Sequence, residues 1–436
     1  MSKKRAGGGG GSGMTLIRSY ARIKPKAADK EGGRDSDKRI TGWDAEAGIV
    51  EMNGKKYDHV HATLPPDVTQ QRVYEVVAQP LVGKWLDGYD VDVLSYGQTG
   101  SGKTYTMFGP PFAMEKAAKE LGGGGGGTSS SGILKEEHGF ILRCGFEALA
   151  MVESLASKGV RATLHGSMVE VSIMSFTDQS VTDLLNKRAK CYVDKSHHLQ
   201  GAMKVLLRTA ADVVKMAAAV ETRLTRGTKM NDTSSRSHCI TVFEFSMLDG
   251  EMFRQSRMQF FDLMGSERFK GANSAHNTNA SSKSSMSGYE GIFANLSLSS
   301  LMSAVEAAAK MRRKGSKKKF ANPMMNFALT DLLQGSLSGK ACTGMITCLS
   351  QSLRNGDETY LSLKYGAGMS KLLNDAQQQP LKDAKKLYSS AKKQYAKSKA
   401  IVDRGVNGKY QALRMAEVRQ WEQVVNSFQD LLEQSS

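Results

Sequence analysis

The chain contains no run of about 18 apolar residues, and its mean hydropathy is −0.38. A membrane-spanning helix is therefore excluded. The opening residues, Met1-Ser2-Lys3-Lys4-Arg5 followed by glycine, lack the apolar stretch of a secretory signal, so no such leader is expected. Cysteine is sparse. Cys144, Cys191, Cys239, Cys342 and Cys348 are odd in number, scattered and never spaced C-x-x-C. This pattern argues against a disulfide framework or a zinc site and fits a reducing compartment. Acidic residues are outnumbered, 43 Asp and Glu against 60 Lys and Arg, for a net charge of +17. Such an excess predicts attraction to a polyanion without saying which one. What is present is length and apolar content. With 436 residues and 40% hydrophobic composition, a large globular core is expected rather than wholesale disorder.

Met1 to Gly13 is basic and then Gly/Ser-rich, and it reads as a floppy arm. A strand pattern begins at Thr15-Leu16-Ile17 and stops at Pro25, and Lys26 to Asp37 reads as a loop. Val91 to Tyr96, Ser167 to Ile173 and Cys239 to Ser246 are strand-like, and Gly102 should open a helix. The six glycines Gly122 to Gly127 maximise chain entropy and mark a surface insertion, bounded here as residues 110–137. Alternation of strands and helices over Thr15 to Leu373 argues for an α/β sheet covered on both faces. After Pro380 the composition turns to Lys, Ala, Gln and Glu. Trp421, Val424, Val425, Phe428, Leu431 and Leu432 mark one face of a helix, and Gly405 and Gly408 should divide the segment in two. That stripe either packs back on the main body or forms a short dimer seam.

Gly97-Gln98-Thr99-Gly100-Ser101-Gly102-Lys103-Thr104 matches G-x-x-x-x-G-K-[ST] between an apolar strand and a helical pattern, the context this motif needs. Glycines let backbone N–H groups curl around an anion, and the following helix start adds partial positive charge. Lys103 can reach β- and γ-phosphate oxygens, and the Thr104 hydroxyl can ligate Mg2+. Two further segments narrow the reading. Asn231 to His238 packs hydroxyls, an amide and a guanidinium just before the strand at Cys239. Phe261-Asp262-Leu263-Met264-Gly265-Ser266-Glu267 places a carboxylate at a strand end, where it can hold Mg2+ through water beside a glycine N–H. Alone, the first reads as a solvated loop and the second as a helix cap.

Together, Tyr96 to Met107, Ser234-Ser235-Arg236-Ser237-His238 and Asp262-Leu263-Met264-Gly265-Ser266-Glu267 stand in the order of the P-loop, switch I and switch II of the kinesin motor domain, which they strongly resemble. Arg22-Ile23-Lys24-Pro25, Gln70 to Tyr74, Gly139 to Arg143 and Asn295 to Ser299 extend the resemblance to about 350 residues. It implies a P-loop NTPase of α/β class, with a central, mainly parallel mixed β-sheet flanked by helices on both faces and a C-terminal helical segment. The implied division is an arm at 1–13, a motor domain at 14–373 and a neck with helical segment at 374–436. The implied cofactors are ATP and Mg2+, and the implied partner is the microtubule, with a cytoplasmic, cytoskeletal location.

By the same resemblance, Tyr96 lies against the adenine, with Arg22 and Pro25 completing its floor. Gly97, Gln98, Thr99, Gly100, Ser101 and Gly102 hold the phosphates with Lys103 and Thr104, and Tyr105 belongs to the nucleotide-binding set. Ser235 completes the Mg2+ shell, Ser234 and Asn231 position the attacking water, Asp262 reaches Mg2+ through water, and Gly265 senses the γ-phosphate. Arg236 and Glu267 form the ion pair that closes the site, as suits a reproducible gate. His238 takes an orienting role.

The dense basic run of Lys310, Arg312, Arg313, Lys314, Lys317, Lys318 and Lys319 falls where the family has a loop facing tubulin, whose acidic tails are a polyanion. Pro323-Met324-Met325-Asn326-Phe327-Ala328-Leu329-Thr330 then departs from the usual Pro-Tyr-Arg-Asp-Ser-Lys-Leu-Thr. Met325 and Ala328 replace an Arg and a Lys, and Met264 replaces a small Ala. These departures bear on motility more than on ATP binding, so a non-motile, nucleotide-regulated microtubule binder stands beside the motor. Ser370 to Asn374 sits where an N-terminal motor keeps its neck linker. No membrane or nucleic-acid partner is expected, and a homodimer through the C-terminal helix remains open.

Overall fold

The computed structural model describes residues 15–26, 38–58, 60–122, 134–173, 179–223, 237–266, 296–310, 327–406 and 408–433. The arm at Met1 to Gly13, the loop at 27–37 and the glycine run after Gly122 lie outside the described residues.

Among the described residues the centre is a twelve-stranded mixed sheet. Its middle strand is Val91–Tyr96, in which every residue is buried, Asp92 and Ser95 included, because both faces of the strand are covered. It pairs in parallel with Met252–Asp262 on one side and Cys342–Leu349 on the other. Arg18–Ile23 and Ala62–Leu64 continue the parallel part. On the far side of Met252–Asp262 the pairing turns antiparallel, through Ser237–Asp249, Arg161–Ile173, Gln179–Asp183 and Lys190–Val193. The strands expected at Ser167 to Ile173 and Cys239 to Ser246 are the inner portions of two longer ones.

Helices cover both faces. Gln70–Val77, Gln79–Leu86, Phe140–Ala156 and Ala210–Ala217 bury Val73, Trp85, Phe140 and Val213 against Phe243 and Phe260. The helix at 296–310, with Ala328–Leu332 and Gly356–Met369, buries Leu301, Leu332 and Tyr365 against Leu94 and Phe261. The insertion expected at 110–137 begins as a packed helix, Ala113–Gly122, because Met114 and Ala117 are buried and Glu221 accepts the N–H groups of Met114 and Glu115.

Four parallel strands end at one edge, and their carboxyl ends lead into Gly97, Asp262, Lys24 and the residues after Leu349. Ligand sites of open α/β sheets form at such an edge. At the opposite end of the chain, Asp383 caps the helix Ala384–Asp403 by accepting from Lys386 N at 2.9 Å. The chain breaks around Gly405 and resumes as Gly408–Glu433, the expected two-helix division. The stripe on that last helix packs back on the body: Phe428 lies 4.7 Å from Phe253, with Leu431 and Leu248 beside it.

Candidate functional site

The loop after Val91–Tyr96 has the shape its glycines permit. Gly97 has φ +147°, and a Cβ there would collide with the carbonyl oxygen of Cys348. The turn delivers Lys103 into the fold, where it is 7% exposed. Its ammonium donates to the carbonyls of Gly97 at 2.8 Å and Gln98 at 2.7 Å, so the cation is anchored inside the loop. One residue on, Thr104 Oγ1 donates to Asp262 Oδ2 at 2.7 Å. Asp262 ends its strand opposite Ser95, whose hydroxyl lies 3.3 Å from Oδ1. The backbone then bends back, and Ser266 N donates to Gly97 O at 3.1 Å. Strand register alone brings these two distant segments to the same point.

A cleft of about 590 Å³ opens at this edge. Arg22, Pro25, Thr99, Gly100, Ser101, Gly102, Lys103, Thr104, Tyr105, Asp262 and Gly265 all line it. Tyr96 does not. It is buried, with its ring centroid 4.1 Å from that of Tyr365 on the helix behind the sheet. The Tyr96 ring, expected against the base, is directed into the core from the strand end, whereas Tyr105, on the first turn of Lys103–Met107, is partly exposed on the cleft wall. The Arg22 guanidinium sits 5.4 Å from the Tyr105 ring and donates to Gln70 Oε1 and to Thr106 Oγ1. Gln70 in turn donates to Tyr105 O at 2.7 Å. Gly97 and Gln98 hold Lys103 through their carbonyls and do not line the cleft.

Sequence reasoning missed Arg223. This guanidinium is 4% exposed, and its Nη1 lies 3.8 Å from Asp262 Oδ2. It also contacts Glu170 Oε1 at 3.2 Å and donates to Ser237 O at 2.8 Å. Burial opposes its charge, but Cys239, Asp262 and Glu170 outweigh that penalty and move its pKa upward. Burial likewise pushes Glu170 up, yet Arg223, Ser237 and Arg188 bring it below the ordinary carboxylate range. No local pattern marks Arg223. Its role emerges only when strand Arg161–Ile173 brings Glu170 beneath it.

His238 is buried, and its pKa is pushed down to about 3 by burial and by the nearby Arg223 and Lys103. A neutral ring follows. Nδ1 accepts from Met264 N at 3.2 Å, so the proton resides on Nε2, 3.3 Å from Ser297 Oγ. The ring thus bridges the segment after Asp262 to the helix at 296–310.

Asn231, Ser234, Ser235, Arg236 and Glu267 lie outside the described residues, as do Arg312, Arg313, Lys314, Lys317, Lys318, Lys319 and Met325. Lys310 ends the described helix, and Ala328 opens Ala328–Leu332, its N–H donating to Gln179.

The donor set fits Mg-ATP. Around Lys103, the polar groups directed to one point are the hydroxyl of Thr104 and the carboxylate of Asp262, hard oxygens suited to Mg2+. Among the described residues no cluster of three or more His, Cys, Asp or Glu could hold a metal alone.

A family model described as the kinesin motor domain matches residues 34–372. A kinesin-like protein K39 from Leishmania chagasi is 30% identical over 399 residues, covering 81% of this chain and 38% of its own length. A kinesin-like protein KIN-12B from Oryza sativa subsp. japonica is 30% identical over 380 residues, covering 84% of this chain and 31% of its own length. The chain thus spans well under half of either relative. A solved structure of a fast kinesin superposes with a TM-score of 0.63 at 22% identity, covering 84% of this chain and 94% of that one, and shares the fold. The chain belongs to the kinesin motor-domain family.

Proposed function

We propose that the chain binds Mg-ATP in this cleft, hydrolyses it, and couples the nucleotide state to its grip on microtubules. The observation that carries the reading is the meeting of Lys103, Thr104 and Asp262 at the carboxyl edge of the sheet. Tyr105 and Arg22 supply a flat, cationic seat for a base. Lys103 is placed to exchange its loop carbonyls for phosphate oxygens, as a P-loop lysine does. The bound magnesium would neutralise charge gathering on the phosphate oxygens. Thr104 and Asp262 would hold it, the latter through water, with Ser235 completing its shell. Arg223, with its Nη1 3.8 Å from Asp262 Oδ2, would help aim that carboxylate. Asn231 and Ser234 would orient water, while Arg236 and Glu267 would shut the gate and Gly265 would report the γ-phosphate.

A mechanical route leads outward. Met264 N, the His238 ring and Ser297 Oγ join the site to the helix at 296–310. The basic run, Arg312 to Lys319, follows that helix and suits an acidic polymer surface. The solved kinesin whose fold matches is described in terms of an ATPase mechanism and interactions with microtubules, which supports carrying both here. A cytoplasmic, microtubule-associated location follows from the same reading.

The test is ATP turnover by the purified chain with and without polymerised tubulin. Phosphate release stimulated many-fold by the polymer is expected. Failure to bind adenine nucleotides, or equal grip on the polymer in every nucleotide state, would overturn it. A second reading, a nucleotide-regulated binder that does not step, is favoured by Met325 and Ala328 standing where the family carries cationic side chains. ATPase activity without filament gliding would select it. A homodimer through the last helix would need surface other than Phe428 and Leu431, which are spent inside the chain.

A further inference from the structure

The segment from Leu372 to Asp383 lies on the sheet as a continuous strap. Ile17 N donates to Leu372 O at 2.9 Å, and Leu373–Asn374 pairs with Thr15–Leu16. Asn374 Oδ1 accepts from Thr343 N at 3.1 Å. Further on, Gln379 N donates to Gly88 O at 2.7 Å, and its side chain donates to Asp90 at 2.8 Å. The strap ends as Lys382–Asp383, which adds an antiparallel pairing to Met252–Phe253.

From there the chain does not leave the body. The helix Ala384–Asp403 starts from Glu251 O, which accepts Ala384 N at 2.9 Å, and it returns as Gly408–Glu433 over the antiparallel half of the sheet. Gln420 accepts from Gly201 N at 3.1 Å, and Gln423 accepts from Lys204 N at 2.7 Å. At Gly201, φ is +79° and a Cβ would meet that of Ala416 at 2.6 Å, so the helix lies as close as glycine allows. Phe428 and Leu431 close the contact on Phe253, beside the strand pair that holds Asp383.

We infer that this C-terminal helix pair is an internal clasp that holds residues 372–383 docked on the sheet whichever nucleotide occupies the cleft. The physical reason is tethering. A strap with a free end recovers on release roughly 1–2 kcal/mol of backbone entropy per residue. One pinned at Asn374 and again at Asp383 recovers only the part compatible with a closed loop. The docked state is favoured accordingly. A cavity of about 320 Å³ lies between the strap at Gln379 and Pro380 and the last helix at Gln420 and Val424, and Phe253 and Phe428 wall its apolar side. A strap so held does not convert nucleotide state into displacement, which favours the non-stepping reading while the clasp is shut.

The inference rests on the nucleotide reading for its nucleotide dependence only, so the test includes a nucleotide-free arm. Amide hydrogen exchange of peptides spanning 375–383 is measured in the full chain with ADP, with a non-hydrolysable ATP analogue, and with neither. Wild-type exchange should be slow and equal within about twofold in all three. Phe428→Asp should speed it at least about tenfold without nucleotide and with ADP, and the analogue should slow it again. The double variant Gln420→Ala with Gln423→Ala, which spares the apolar patch, should move it in the same direction by about threefold. Wild-type exchange that is tenfold faster with ADP than with the analogue would overturn the clasp. So would slow exchange at 375–383 in variants whose 408–433 peptides exchange freely. Should nucleotides fail to bind, the nucleotide-free arm still decides the clasp while the function itself fails.

Discussion

Thr104 and Asp262 stand 158 residues apart in the chain and share a hydrogen bond of 2.7 Å. The hydroxyl closes the phosphate loop, and the carboxylate ends the neighbouring parallel strand. Pairing of Asp262 with Ser95 sets that meeting. A slip of one residue would turn the carboxylate to the other face of the sheet. The bond therefore ties the proposed Mg2+ seat to sheet register.

Lys103 is the cation of the loop, and Glu267 is half of the expected gate. Lys103→Ala should abolish nucleotide binding, read by titration with a fluorescent ATP analogue. Glu267→Ala should bind the analogue normally and lose phosphate release by a factor of about 100 or more. Normal hydrolysis by Glu267→Ala would remove it from the gate.

Tyr105 lines the cleft and Tyr96 does not, so the proposed seat for the base falls to Tyr105, and affinity separates the two. Tyr105→Ala deletes the ring beside Arg22 and should weaken ATP binding about tenfold, the scale of one stacking or cation–π contact. Tyr96→Phe keeps its packing on Tyr365 and should leave the affinity within about twofold. The reverse pattern would restore Tyr96 to the base.

Removal of Arg223 leaves Asp262 buried without that cation and leaves Glu170 with Arg188. Arg223→Ala should destabilise the fold by about 3–5 kcal/mol in urea unfolding. Arg223→Lys keeps a charge but cannot fork between two carboxylates and should fall between. Both should weaken the Mg2+ dependence of nucleotide binding. A loss under about 1 kcal/mol for the alanine variant would show that the cluster is not a structural tie.

Asp92 offers a test by pH. It lies in the middle strand, accepts from Ser336 Oγ and Gln259 Nε2, and is pushed up by burial from 3.8 to about 6, against those hydrogen bonds. Its folded-state value exceeds the unfolded one, so the folded chain holds more protons between pH 3.8 and about 6. Stability is greatest below that window and falls as pH rises through it. Above it the buried carboxylate costs on the order of 3 kcal/mol. Asp92→Asn should therefore raise Tm at pH 7.5, with the gain vanishing near pH 4. An equal gain at both pH values would place the effect in packing rather than ionisation.

Short-range chemistry was readable before any coordinates. The eight residues Gly97 to Thr104 carry their own turn, anchor and hydroxyl. The division of the C-terminal segment near Gly405 was equally local. Tyr96 and Tyr105 were harder to separate, because a residue string states spacing but not whether a ring leaves a strand end into the core or a helix start into a cleft.

Partnership across the sheet lay beyond the linear pattern. Arg223 is an ordinary arginine until Glu170 and Asp262, on two different strands, arrive beside it. The apolar stripe of Val425, Phe428 and Leu431 suits a neighbouring chain or this one equally well, since periodicity names a buried face and not what buries it. Local steric preference and hydrogen bonding settle the loop from within. The long-range contacts depend on strand order and register, which arise only when the whole core closes.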